Sequence, residues 1–166
     1  MKKALVLCIA LFIAGGVAFA LDPAEGYWIS VDDKTGKETA GWEFYQQDGK
    51  LYGRMLSVAD YSQTEIATRC RDSYRNFPIP GKVNTMHVIG TPWIFNLSMD
   101  QTGRWSGGNI IDPQNGNMYL CRITFHPRDG NRYMEDTLEM RAEVVRGIGL
   151  SQFWRKASQE QAAGIR

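Results

Sequence analysis

The sequence predicts an all-β domain: a single eight-stranded antiparallel up-and-down barrel, with one long loop over 59–82 and little helix. Three observations carry this. Apolar and polar residues alternate with period two over several segments, while helical spacing is nearly absent. Turn signals recur about every eight to twelve residues. The linkers are mostly short, so each strand can pair with the next without a long Greek-key return, which favours a barrel over the rival sandwich. A sheet of this length hides its edges by closing. About eight strands then enclose an interior that side chains fill or that holds one small ligand.

Residues 26–31 are β-rich and end at the turn cluster Asp32-Asp33-Lys34-Thr35-Gly36-Lys37. Residues 40–47 alternate, with Trp42 and Phe44 on one face and Glu43 and Tyr45 on the other. Asp48-Gly49 is a hairpin signal. Residues 50–58 return, with Tyr52, Arg54 and Leu56 sharing one face and Gly53, Met55 and Ser57 the other. The stretch 59–82 breaks the rhythm. It is polar, gathers Arg69, Arg71 and Arg75 around Cys70, and has one or two helical turns predicted over 64–69. Pro78 and Pro80 bias their neighbours away from helix. A loop this long in a compact domain is functional or tied down.

A strand over 93–99 turns at Asp100-Gln101-Thr102-Gly103. The next hairpin organises the chain: strands over 105–111 and 117–126 flank Asp112-Pro113-Gln114-Asn115-Gly116, with Gly107, Gly108 and Tyr119 beside the turn. Pro113 has a fixed φ and no backbone donor, so it belongs in the reversal. Asn115-Gly116 readily takes the positive φ that a reversal needs. Residues 127–131 turn again. Over 137–145, Leu138, Met140, Ala142 and Val144 alternate with Glu139, Arg141 and Glu143. Residues 150–155 close the series, and 157–166 form a polar tail, frayed or helical.

The first twenty residues read as a signal peptide: Lys2 and Lys3, an apolar run over 4–14, and Ala18-Phe19-Ala20 before the cleavage point. The run is short for a bilayer span. The sequence therefore predicts export to the periplasm or medium, a mature chain without an integral membrane span, and a barrel domain over 21–156. Without Lys2 and Lys3, seventeen basic side chains face eighteen acidic ones. No basic stripe is present, so nucleic acid is not an expected partner. A chain of about 146 residues buries roughly 68–70% of its extended surface and needs no metal to hold a core. Cys70 and Cys121 remain after cleavage. In an exported chain they are a candidate disulfide, worth about 4 kcal/mol in the chain-entropy model; the alternative is two buried thiols.

Several motifs gather into a series: Gly26-x-Trp28, Thr35-Gly36-Lys37, Gly49-Lys50-Leu51-Tyr52-Gly53-Arg54, Gly107-Gly108 through Asp112-Pro113 and Asn115-Gly116 to Tyr119, and Trp154. Over about 25–156 the chain resembles the secreted bacterial family catalogued as domain of unknown function 2147. The resemblance implies a lipocalin-like, calycin-type barrel with no established activity. It also implies a structural plug, in which Trp28 closes one end and Arg155 stacks over it. The insert 59–82 and its Cys70 depart from the family pattern.

Chemistry is sparse. His87 and His126 lack metal-ligand spacing. Ser106 does not sit in G-x-S-x-G, and neither cysteine has a neighbouring histidine. No metal, cofactor or catalytic constellation is implied. Five Trp and seven Tyr suit a packed core, and equally an apolar cavity with a few polar groups. The candidate ligand contacts are Trp42, Phe44, Arg54, Trp105 and Arg122, although outward solvated faces also explain the arginines. Arg141, between Glu139 and Glu143, faces water. The expected function is exported binding of one small apolar or amphipathic ligand. The alternatives are a non-catalytic envelope protein with a packed barrel and, third, an envelope hydrolase with a site built by 59–82.

Overall fold

A computed structural model describes residues 21–166; the predicted signal peptide lies outside the described residues. Eight strands follow in order: β1 (Gly26–Val31), β2 (Glu38–Gln47), β3 (Lys50–Val58), β4 (Ile94–Gln101), β5 (Arg104–Asp112), β6 (Asn117–His126), β7 (Thr137–Val145) and β8 (Ile148–Ala157). Each pairs antiparallel with the next, and β8 returns to β1 through Tyr27↔Ala157, Trp28↔Lys156 and Ile29↔Arg155. The sheet is a closed antiparallel barrel, and the described residues contain almost no helix. β8 extends beyond the predicted 150–155 at both ends, because Ile148 and Gly149 pair with β7 and Lys156 and Ala157 pair with β1.

The pleat sorts the alternating residues. Trp42 and Phe44 of β2 are buried in the barrel, and Glu43 and Tyr45 lie outside. One expectation about faces is corrected. The register steps from Gly41↔Ser57 to Trp42↔Met55, so Leu56 is an extra residue in β3. This bulge turns Ser57 away from the face of Gly53 and Met55. Its hydroxyl donates instead to Ala162 O at 2.6 Å and accepts from Ile165 N at 3.2 Å.

The tail therefore docks on the barrel wall. Its one helix, α1 (Gln159–Ala163), starts at a capping box made by Ser158 and Gln161. It lies so close to β2 that a Cβ on Gly41 would sit 1.6 Å from Ala162 O. Only glycine permits this approach.

The stretch 64–69 is not helical. Ile66 bridges to His87, Ala67 N donates to Met86 O at 2.9 Å, and Val88 N donates to Glu65 O at 2.8 Å. These strand-like bonds replace the helical ones, and the loop's one regular piece is a 3-10 turn at Val83–Thr85. The loop is fastened to the β5–β6 turn: Tyr74 Oη donates to Gly116 O at 2.7 Å and accepts from Arg71 N at 2.9 Å. Gly116 has φ +70°, and a Cβ there would lie 2.2 Å from Arg69 O. Both the turn and the docked loop require glycine.

No disulfide ties the loop. Cys70 and Cys121 are both buried and free. Cys121 sits opposite Ala142 on the inward face of β6, whereas Cys70 belongs to the loop. Burial pushes the Cys121 thiol well above its ordinary value, and the Glu143 carboxylate adds to this. Burial likewise raises Cys70.

The closed end is built around Trp28, which is fully buried and donates from Nε1 to Ala24 O at 3.0 Å. The cation above its ring is Lys156, 4.3 Å from the centroid, rather than Arg155. Register explains the correction. Lys156 is the direct cross-strand partner of Trp28, so both point to one face; Arg155, one residue away, points outward and pairs with Glu38. Lys156 Nζ also donates to Glu25 O at 2.9 Å. Asp22 completes this end: Oδ1 accepts from Ala24 N at 2.9 Å and Trp105 Nε1 at 3.0 Å, while Oδ2 accepts from Gly103 N at 2.8 Å.

Two outcomes test this account. Lys156→Met should lower stability by about 0.5–1 kcal/mol, read as a drop in the urea midpoint, and Arg155→Met by less; a larger effect at Arg155 would restore it to the plug. On unfolding without reductant, Cys70 and Cys121 should both take up an alkylating reagent, seen by peptide mass. A linked peptide pair would contradict the free thiols.

Candidate functional site

The barrel interior is packed only at one end. Trp42 and Trp154 stack with centroids 5.0 Å apart and an interplanar angle of 24°, and Phe44 lies against both at 6.4 and 5.9 Å. Leu51, Leu97, Trp105, Ile123 and Leu138 are fully buried within the same core. On the other side of the stacked indoles is a cavity of about 570 Å³ that opens to solvent. This is the size of sites that take small ligands. Side-chain volume accounts for the division. Ser30, Ala40 and Ala142 line the open half, where they leave space that tryptophan and phenylalanine occupy at the closed end.

Met55, Val88, Ile110 and Met140 supply much of the apolar wall. The rim comes from the hairpin that the sequence singled out: Asp112, Pro113 and Gln114 all border the cavity. That turn is internally braced. Asp112 Oδ1 accepts from Gln114 N at 2.9 Å, Oδ2 accepts from Asn115 Nδ2 at 2.7 Å, and Asn115 Oδ1 accepts from Asn117 N at 2.8 Å. The opposite lip is the β7–β8 reversal, where Val144 and Leu150 are 72% and 81% exposed. Of the long connection between β3 and β4, Tyr61 and Val88 reach the cavity.

Polar side chains are a minority of the wall: besides Asp112 they are Ser30, Thr39, Tyr61, Gln114, Tyr119 and Gln152. Ser30 Oγ is occupied by Thr39 Oγ1 at 2.8 Å and Ala40 O at 3.2 Å. Trp154 Nε1 donates to Gln152 Oε1 at 3.2 Å. Trp42 Nε1 is buried and has no acceptor. Among the described residues, the wall carries no lysine, arginine or histidine, and Asp112 is its only carboxylate.

The candidate contacts thus separate. Trp42 lies on the cavity wall. Phe44 packs against the stacked indoles without bordering the cavity. Trp105 belongs to the closed end, bonded to Asp22. Arg54 and Arg122 are not cavity residues, because the pleat sends both outward. Arg54 Nε donates to Glu43 Oε2 at 2.6 Å beneath the Tyr45 ring, and Arg122 approaches Glu143 at 3.7 Å. Met140 and Ala142, by contrast, reach the cavity from the inward face that the alternation of β7 had marked. Asp22 had no signal: two of the three donors to its carboxylate, Gly103 and Trp105, are far away in the sequence.

Outside, Arg104, Arg122, His126, Glu139 and Arg141 line a polar depression. Glu143, beside it, accepts from Gly147 N at 3.1 Å and Arg141 Nε at 2.9 Å. The Gly147 bond, then the Arg141 guanidinium, hold its carboxyl below the ordinary value. Burial pushes Glu139 up, but hydrogen bonds from Ser151 and His126 outweigh it and leave that carboxyl lowered too. No described group of three His, Cys, Asp or Glu side chains converges as metal ligands.

The family model described as "Uncharacterized protein conserved in bacteria (DUF2147)" matches residues 26–156. The chain belongs to this family. The match spans all eight strands of the barrel, from the first residue of β1 to one short of the end of β8. A solved structure, the protein HP1028 from the human pathogen Helicobacter pylori, said to belong to the lipocalin family, superposes with a TM-score of 0.63 at 18% identity. The alignment covers 83% of this DUF2147 chain and 85% of HP1028. At that identity the likeness establishes the fold. Comparison with curated proteins gives no match.

The lowered carboxylates set a pH dependence in this DUF2147 barrel. A folded-state value below the unfolded one gives stability that is present above the unfolded value and lost as pH falls through the folded one. The melting-temperature gap between wild type and Glu143→Gln should be full at neutral pH and should close below about pH 4; a gap that persists in acid would remove Glu143 from this role.

Proposed function

We propose that this protein is an exported, non-catalytic carrier of one small apolar or amphipathic molecule, held in the open half of its barrel. The carrying observation is the cavity of about 570 Å³ with its apolar wall. Side chains long enough to fill it are placed at the closed end instead, and the indole pair forms a fixed floor. The braced rim turn and the fastened loop keep the mouth open without an occupant, so binding would lose little free energy to ordering the protein. The lipocalin-like fold is compatible with such a role, but fold alone does not assign it.

Export is supported by the leader-like first twenty residues. Burial of both thiols suits an oxidising compartment, because neither is offered to oxidants as thiolate. No nucleophile–base pair borders the cavity among the described residues, so no chemical step is assigned.

Native mass spectrometry of the protein purified from its own host tests the reading. The mature mass should begin at Leu21 and carry a reproducible non-covalent adduct. Ala142→Phe, which fills the cavity, should lose the adduct while keeping the circular dichroism spectrum. A bare mass in every preparation would instead favour an envelope protein that carries nothing.

A further inference from the structure

A hairpin end that meets only water is normally polar, and the β7–β8 reversal is not. Among the described residues, six large apolar side chains are more than half exposed. Leu21 and Met134 stand singly, whereas Val144, Val145, Ile148 and Leu150 share this one hairpin. We infer that the hairpin is a membrane-docking tip. It seats these side chains in the interface of a bilayer containing anionic phospholipid and turns the cavity mouth toward the lipid. The docking goes beyond the carrier reading and would stand if the cavity carried nothing.

The hairpin end stands clear of its neighbours. β6 pairs with β7 no further than Leu120↔Glu143, and β1 pairs with β8 only at Arg155, Lys156 and Ala157. Val145 and Ile148 form the last cross-strand pair before the turn and are 53% and 68% exposed. Leu120, opposite Glu143 on β6, extends the apolar surface sideways. Contiguous exposed apolar surface of this kind marks a contact with a protein or a membrane. The tip is also braced from behind. Buried Glu143 accepts from Gly147 N at 3.1 Å and from Arg141 Nε at 2.9 Å, and Arg141 Nη2 donates to Gly147 O at 3.3 Å. These bonds hold the apolar side chains outward, so docking needs little reordering.

Charge identifies the occupant. Arg146 is exposed in the turn itself, and Arg141 reaches Gly147 from directly behind it. Arg122, the cross-strand neighbour of Arg141, approaches the same Glu143 at 3.7 Å. Three guanidinium groups thus surround the tip against one carboxylate. Apolar side chains in front and cations behind match the layers of a bilayer surface, where acyl chains lie beneath anionic headgroups. Across the mouth, Asp112 is engaged within its own turn, and Asp32 and Asp33 stand beside Lys34 and Lys37. A second copy of the chain fits the tip less well. Four apolar side chains on one hairpin fall far short of the roughly 20–30 residues a side that a stable protein interface uses. A two-fold pairing of tips would also set Arg146 against Arg146. Val144 and Leu150 line the cavity as well as the tip, so apolar surface continues from the docked face into the barrel.

Flotation of the mature protein with phosphatidylcholine vesicles, with and without roughly one part in four of phosphatidylglycerol, tests the inference. The protein should bind the anionic vesicles at least about fivefold more tightly than the neutral ones, and high salt should remove the difference. Val145→Ser combined with Ile148→Ser should weaken binding to the anionic vesicles by about tenfold or more. Arg146→Gln should weaken it by about fivefold. All three side chains are exposed, so the circular dichroism spectrum should not change. Should the double variant fail to fold, an environment-sensitive fluorophore on Ile148→Cys gives the second measurement. Its emission should shift to the blue with anionic vesicles, whereas the same label on Thr102→Cys, in the β4–β5 turn at the closed end, should not shift. Absence of flotation, equal binding to both vesicles, or undiminished binding by the double variant would each overturn the assignment. A dimer in sedimentation velocity that the double variant abolishes would overturn it in favour of a second copy. The adduct that tests the carrier reading is measured without vesicles, so the two readings fail separately.

Discussion

Everything inside this protein depends on one pairing, that of β8 with β1. Until Trp28 meets Lys156 across that ladder, the chain is an open sheet with two bare edges and no interior. The pairing brings together residues from the two ends of the domain, which makes it the longest-range contact in the ladder and the most expensive in loop-closure entropy. The closed end shows how that cost is met. The segment from Asp22 to Glu25 folds under the barrel and bonds to β1, β8 and the β4–β5 turn, so closure fixes several elements at once. The tail then wraps back, and α1 lies across β2 and β3 through Ser57 and the bare α-carbon of Gly41.

Once the barrel is shut, its interior is divided by side-chain size. Large aromatic rings crowd toward the closed end and form a floor; small residues face each other above it. A barrel with this number of strands has room for either a packed core or a ligand, and here it has some of each. The packed half supplies the stability that lets the other half keep its cavity. The same economy governs the mouth. The rim turn is held by its own Asp112 and Asn115, and the long loop is strapped to it by Tyr74 and Gly116. Neither depends on an occupant.

Charge is kept on the outside. Arg54, Arg122, Arg141 and Arg155 all pair with glutamates on the outer face of the barrel, and of those glutamates Glu143 is itself buried. The interior receives almost none. Trp42, which borders the cavity, keeps its indole N–H buried and without an acceptor.

The sequence by itself determined the strands, their order and the sharp turns, because these follow from period-two alternation and from residues such as Asn115-Gly116 whose backbone preferences are local. It also marked the faces of β2 and β7, and so Trp42, Met140 and Ala142 as inward residues. It misassigned what depends on register or on distant partners. Ser57 changed faces through a bulge, Lys156 rather than Arg155 met Trp28, the helix expected over 64–69 gave its hydrogen bonds to the strand-like segment around His87, and the two cysteines never joined. Whether Arg54 and Arg122 pointed in or out, and which indole would lack an acceptor, was decided only by tertiary structure. A one-residue shift reverses the face of every side chain beyond it, and a hydrogen-bond partner from another strand leaves no trace in the local sequence.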